Sequence, residues 1–179
     1  MNQRTRSLTR IALFAAVLSV SAFIRIPLGP VPLTMQTFAA LLTGYVLGPR
    51  NGAFATLLYT AVGLAGVPVF TAGGGPAYVL SPTFGYIIGF SCCAALTGRL
   101  ATFNRSGSPV MAYIIMLAGM AAIYIPGLLW LAVSLTWIAD TPSAMTTILR
   151  VGLLVPAAGD LITAVPAAAL SVRLRKKLS

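Results

Sequence analysis

One group in this sequence stands out chemically. Asp160 lies within "VPAAGDLITAVPAAAL", and the only other acidic residue in the chain is Asp140. An ionised carboxylate in a membrane span costs about 2.5–3.5 kcal/mol on insertion scales. The nearest basic residues along the same segment, Arg150 and Arg173, lie more than about 10 Å away at helical rise. Asp160 therefore needs a partner on another helix or a ligand. It can accept hydrogen bonds from N–H groups of a bound substrate, carry a proton, or clamp two helices. Pro156 and Pro166 flank it. Each leaves a carbonyl in the preceding turn without its helical donor, and Gly159 lets another group approach the backbone. Bending of the helix is the other use of such prolines.

The remaining inventory points away from catalysis. The chain has no His and no Glu, and its only lysines are Lys176 and Lys177. There is thus no imidazole base, and Asp140, in a loop, is not placed to pair with Asp160, in a span. "FTAGGGPAYVLSPTFGY", Phe70 to Tyr86, carries three consecutive glycines. No Lys-Ser/Thr follows them, as a phosphate-binding loop requires. Cys92 and Cys93 are adjacent in an apolar run, where helical neighbours point apart, and they read as small apolar residues. No enzyme activity, metal site or cofactor is expected.

Gly73, Gly74 and Gly75 instead suit a loop that closes over a ligand, packs its backbone tightly and offers N–H groups to a carboxylate. A plain turn is the alternative. Tyr78 follows in the same loop. Thr34 and Gln36, and then Ser81, Thr83 and Tyr86, are isolated polar groups in apolar settings. A small-molecule pocket has this make-up, mostly apolar with a few placed hydrogen-bonding groups. Thr34 and Ser81 suit helix caps equally well. Ser81-Pro82 is expected to open a helix with Pro in its first turn, pointing Tyr86 inward one turn later.

The elements that must position these groups are built for lipid. Of 179 residues, 58% are hydrophobic and 8% charged, against about 25% charged in soluble domains. Residues 1–179 read as a single domain, an all-α membrane protein with six apolar segments. These run from about Leu8 to Ile24, Thr34 to Leu47, Ala53 to Gly66, Ser81 to Leu100, Pro109 to Ile138 and Ala144 to Val172. A spanning helix needs about 20 residues, so segments two and three, separated by "GPRNG", read as short helices that stop inside the protein. The fifth, uncharged from Pro109 to Ala139, is longer than the hydrocarbon thickness, and "IPG" at Ile125 to Gly127 is the expected bend. Residues 1–24 resemble a signal peptide but read better as a first helix that is its own insertion signal. Small-xxx-small pairs at Ala12/Ala16, Ala40/Gly44, Ala61/Ala65, Gly85/Gly89 and Ala164/Ala168 suit close helix contacts or a partner subunit.

Charge sets the orientation. With six spans, Arg4, Arg6, Arg10, Arg50, Arg99, Arg105, Arg173, Arg175, Lys176 and Lys177 share one side, and the other keeps Arg25 and Arg150. By the positive-inside bias both termini are cytoplasmic. The net charge of +10 sits at the ends of apolar runs, which suits anionic lipid headgroups rather than nucleic acid. The outer loops, "RIPLGPVPLTMQTF" (Arg25 to Phe38) and the glycine stretch, are apolar and shaped by Pro and Gly. They are expected to be ordered against the bundle.

Three stretches carry a resemblance: "IPLGPVPLTMQTFAALLTGYVLGPRNG", "GLAGVPVFTAGGGPAYVLSPTFGYIIGF" and "GDLI" at Gly159 to Ile162. They resemble the BioY family, the biotin-binding S components of energy-coupling factor (ECF) vitamin transporters, over essentially the whole chain. The resemblance implies a multi-pass protein of the bacterial cytoplasmic membrane. Such a protein captures biotin from outside and delivers it with a transmembrane T component and two ABC-type ATPases. It implies a vitamin site under loops 1 and 3, with Asp160 at the biotin headgroup and Ala12 and Ala16 docking the T component. Leu33, Met35, Val69 and Phe70 would cover the ring and chain. The family pattern also places a Lys three residues after the Asp, where this chain has Thr163. Capture of the biotin carboxylate then falls to Arg25, Arg150 or the glycine-loop N–H groups. A proton-coupled carrier titrating Asp160 is the alternative function, but such carriers often show repeated halves, and none is evident.

Overall fold

The structure, a computed structural model, describes residues 2–27, 31–138 and 145–178. Asp140 and Ala144 lie outside the described residues, as do residues 28–30 of the first loop. Helix α1 (Gln3–Ser21) opens on Asn2, whose side chain accepts from the Arg4 amide at 3.4 Å. It buries Phe14, Ala15, Leu18 and Ser21. That is one stripe at helical spacing, and Leu13, Val17 and Val20 face outward. Two-residue strands β1 (Arg25–Ile26) and β2 (Leu33–Thr34) then pair antiparallel, Arg25 with Thr34 and Ile26 with Leu33. A reading as purely helical missed this short hairpin, because two residues carry no alternation pattern.

Helix α2 (Gln36–Leu64) is interrupted at Gly48, whose φ of 80° and ψ of 176° lie outside the helical region. There the chain reverses. The Gln36 side chain donates to the Tyr59 hydroxyl at 2.6 Å, whereas 23 residues of straight helix would separate them by about 35 Å. The two short segments expected on either side of "GPRNG" are therefore antiparallel halves. A Cβ on Gly98 would lie 2.5 Å from backbone atoms of Gly48 and Pro49, so the reversal is packed directly on the next helix.

A 3-10 turn (Pro76–Leu80) precedes α3 (Phe84–Leu100). The helix starts later than expected. Ser81-Pro82 belongs to the turn before it, where Ser81 Oγ accepts from the Thr83 amide at 3.4 Å. Serine thus organises an approach turn rather than capping the helix itself. Helix α4 (Pro109–Val133) is capped by Ser108 and continues unbroken past Pro126. The departure from α-helical pitch comes instead in a π-helical turn, Ser134–Ile138. Helix α5 (Met145–Leu149), a second π turn (Arg150–Leu154) and α6 (Val155–Leu178) complete the described chain.

Among the described residues, three helical stretches are long and apolar enough to cross a membrane: Phe84–Phe103, Pro109–Trp137 and Met145–Lys177. The small-residue pairs divide by role. Ala40, Gly44, Gly85, Gly89, Ala164 and Ala168 are buried between helices, whereas Ala12, Ala16, Ala61 and Ala65 are exposed. Cys92 is exposed and Cys93 buried, both as free thiols. At one end of the bundle, Asn104 donates to the Tyr45 hydroxyl and to the Ser108 carbonyl, each at 2.7 Å. Arg175 there donates to the Ala101 carbonyl at 2.6 Å and lies over the Tyr45 ring. The opposite end holds the hairpin, the glycine loop and Asp160.

Candidate functional site

The site begins with the consequences of Pro156. Having no N–H, it cannot serve the carbonyl four residues earlier, which belongs to Gly152. Tyr86 on α3 does so instead, its hydroxyl donating to Gly152 O at 2.7 Å. One turn further along, Asp160 points back into the bundle, only 3% exposed. Tyr124 on α4 donates to its Oδ2 at 2.6 Å. Asp160 Oδ1 is buried and has no hydrogen-bond partner among the described residues. The two tyrosine rings meet edge to face, with centroids 6.0 Å apart.

Asp160 forms part of the wall of a recess enclosing about 510 Å³ of empty space, its open mouth included. The hairpin side contributes Val31, Pro32, Leu33 and Thr34, followed by Gln36 and Thr37 at the start of α2. Thr71, Tyr78 and Thr83 come from the glycine loop and the turn after it. Tyr86, Ile87 and Phe90 of α3, Ile123 and Tyr124 of α4, and Pro156 and Asp160 of α6 complete it. Its polar groups are held in place. Gln36 is fixed by Tyr59, and the Tyr78 hydroxyl joins Thr71 at 2.8 Å and Thr83 at 3.0 Å. Leu33 packs on Gly159 so closely that a Cβ there would meet its side chain at 2.6 Å. The glycine next to Asp160 thus admits the hairpin.

The candidates from sequence separate into those that line the recess and those that support it. Asp160, Tyr86, Gln36, Thr34, Tyr78 and Leu33 line it. Phe70 lies behind Tyr78, buried at 4.5 Å centroid distance from that ring and 5.3 Å from Tyr59. Met35 lies between two lining residues, its amide donating to Ile24 O at 3.1 Å. Val69 offers its carbonyl to the Tyr59 hydroxyl at 3.4 Å. Ser81 bonds Thr83 at 3.0 Å and accepts from the Trp130 indole at 3.0 Å through its carbonyl. Thr163 donates to the Asp160 carbonyl at 3.1 Å, within its own helix.

Two amides of the glycine triplet are already used, one within the loop and one on α2 beneath it. The amide of Gly73 bonds Phe70 O at 3.2 Å and that of Gly75 bonds Gly63 O at 2.8 Å. Both residues have positive φ, 115° and 104°. A Cβ on Gly74 would lie 2.2 Å from Val67 O. The triplet serves tight backbone packing, as the sequence suggested, while Gly73 and Gly75 have no amide to spare for a carboxylate. Arg25 and Arg150 are both exposed. Arg25 donates to the Thr71 carbonyl and so ties the hairpin to the glycine loop. Arg150 sits in the second π turn and does not line the recess.

Sequence reasoning did not single out Thr37, Thr71, Ile87, Phe90, Ile123 or Tyr124. Tyr124 had one available signal: a polar-tipped ring inside the long uncharged segment, where a buried hydroxyl needs a partner.

Known proteins agree with this architecture. The BioY family matches residues 1–179. A relative named "Probable biotin transporter BioY", from Lysinibacillus sphaericus, is 41% identical over 97% of this chain and 89% of its own length. The "Biotin transporter BioY" of Thermotoga maritima is 38% identical over 96% of each chain. Among solved structures, the S-component for biotin from an ECF-type ABC transporter superposes with a TM-score of 0.85 at 30% identity, covering 98% of this chain and 93% of that one. With the match running from the first residue to the last, this chain belongs to the BioY family.

Proposed function

We propose that this protein captures biotin and takes part in its uptake as the substrate-binding S component of an ECF-type transporter. The observation that carries the reading is Asp160 Oδ1, a buried acceptor with no partner among the described residues, on a residue in the wall of a recess that is mostly apolar with a few placed hydrogen-bonding groups. The ureido N–H groups of biotin are donors of the kind this oxygen lacks, and Ile87, Phe90 and Ile123 are apolar surfaces for its ring and chain. Arg25 is the best-placed cation for the valeryl carboxylate, because it is bonded to Thr71, a lining residue. Family and fold point to transport rather than catalysis.

The same reading gives six spans, with the two halves of α2 counted separately. The Gln36–Tyr59 bond supports that count. Both termini would be cytoplasmic in the bacterial inner membrane. The contact of Gly98 with Gly48 and Pro49, and that of Arg175 with Ala101, draw basic residues to the end of the bundle away from the recess. That is the positive-inside arrangement. The recess then opens outward. Ala12 and Ala16, exposed on α1, are the surface for a T component, which would work with two ABC-type ATPases.

Biotin titration of purified protein, followed by Trp130 fluorescence, tests the reading. Trp130 is bonded to Ser81 beside the recess. Saturable binding at nanomolar biotin is expected, and absence of any response at micromolar biotin overturns it. Biotin uptake into vesicles driven by a proton gradient alone, without ATPases, would favour a proton-coupled carrier instead.

A further inference from the structure

Asp160 has two oxygens with different fates. Oδ2 accepts from Tyr124 at 2.6 Å, and Oδ1 is buried with no partner among the described residues. A carboxylate on a short Asp side chain turns about its terminal torsion within a broad well, so a single fixed donor sets the angle of the carboxylate plane and with it the place of the second oxygen. Tyr124 can be that donor because it is itself held. Its ring is 6% exposed and sits edge-on to Tyr86, which is anchored to Gly152 on the chain segment leading into α6. The hydroxyl thus reaches Asp160 from a fixed position on a neighbouring helix.

We propose that Tyr124 is a positioning residue for ligand selection: by holding Oδ2 it fixes the Asp160 carboxylate so that Oδ1, the oxygen without a partner, meets one ring N–H of the ligand. This rests on the reading of the recess as a biotin site and adds a selection rule to it. With Oδ2 held by Tyr124 the carboxylate plane is fixed, and Oδ1 is the oxygen with no donor of its own among the described residues. A ligand that brings a ring N–H to Oδ1 fits this orientation. Methylation of the ureido nitrogen that meets Oδ1 removes that donor and puts a methyl group where the hydrogen bond would be.

The experiment is a double-mutant cycle on biotin affinity in the full chain, using Tyr124→Phe, Asp160→Asn and the pair. Phe keeps the ring and its contact with Tyr86 and removes only the hydroxyl. Tyr124→Phe alone is expected to weaken biotin about tenfold, because the carboxylate is then free to turn away from the ligand N–H and must be re-ordered on binding. The pair is expected to be no weaker than Asp160→Asn alone, because Tyr124 acts through that carboxylate. A second readout is the affinity ratio of biotin to its two N-methylated ureido derivatives. The parent is expected to reject one derivative strongly, and Tyr124→Phe to lose much of that discrimination. Additive losses in the cycle, or an unchanged ratio in Tyr124→Phe, would mean a packing role only and overturn the proposal. So would parent-like affinity in Tyr124→Phe. In each of these cases the parent still binds biotin; if it does not, the functional reading fails first.

Discussion

Replacing Asp160 by Asn should move stability and affinity in opposite directions. The side chain is 97% buried by its 3% exposure, and one of its oxygens is unpaired. A buried ionised group without full pairing costs folding free energy, and a buried polar group left unsatisfied costs about 1–3 kcal/mol. Asn has the same shape, keeps an oxygen for Tyr124 and leaves its NH2 as unpaired as Oδ1 was, so the gain comes from losing the buried charge. The unliganded variant should therefore be as stable as the parent or more so, by up to about 1–3 kcal/mol. Its biotin affinity should fall, because the lost hydrogen bond is charge-assisted and worth about 1.5–3 kcal/mol. That corresponds to about 10–150-fold. Thermal unfolding in detergent, with and without saturating biotin, reads both quantities on one sample. The parent should melt lower than Asp160→Asn without biotin and gain more from biotin. An unliganded variant that melts well below the parent would show that Asp160 is a structural clamp. An affinity retained within about threefold would remove it from the ligand contact. Either result refutes the reasoning.

Gly98→Val should destabilise the fold by at least about 1–3 kcal/mol, the usual cost of overpacking. Its side chain would meet the backbone of Gly48 and Pro49, which has little room to move. The check is the thermal midpoint of purified protein. Arg25→Ala should leave the unliganded midpoint within about 0.5 kcal/mol of the parent, because the residue is exposed and surface changes cost little. Biotin should nevertheless dissociate faster from it, since the tie from hairpin to glycine loop is lost, and stopped-flow chase measures that rate. Ala16→Trp on the exposed face of α1 should leave biotin binding by the isolated chain unchanged. Under the proposed docking role of α1, it should abolish uptake when the chain is expressed with an ECF T component and ATPases, as a cellular assay with labelled biotin would report.

Much of the recess lining was legible because lipid makes polar groups conspicuous. Asp160, Gln36, Thr34, Tyr78 and Tyr86 stood out as hydrogen-bonding groups in apolar surroundings, and all line the recess. Sequence and structure part where one residue type has several uses. Phe70 is as good a core residue as a ligand cover, and here it lies behind Tyr78. Glycine amides look available in sequence, but Gly73 and Gly75 bond within and beneath their own loop. Tyr124 was invisible as a partner of Asp160 because that pairing depends on how α4 and α6 face each other. Thirty-six residues separate the two.

From the sequence alone followed a lipid-built helical chain, a break at "GPRNG", two Pro- and Gly-shaped loops, and a carboxylate that had to find a partner. Local chemistry is enough for these. Proline removes its own N–H, a positive φ favours glycine, and a charge in an apolar run is costly wherever its helix packs. Only the tertiary structure decided which oxygen of Asp160 is taken and which is free, because helix rotation sets that choice. It also decided that Tyr86 takes the carbonyl Pro156 leaves open, and that the hairpin reaches Gly159. Those contacts join α3, α4, α6 and the first loop at one end of the bundle, and no spacing along the chain encodes the angles at which four separate elements meet.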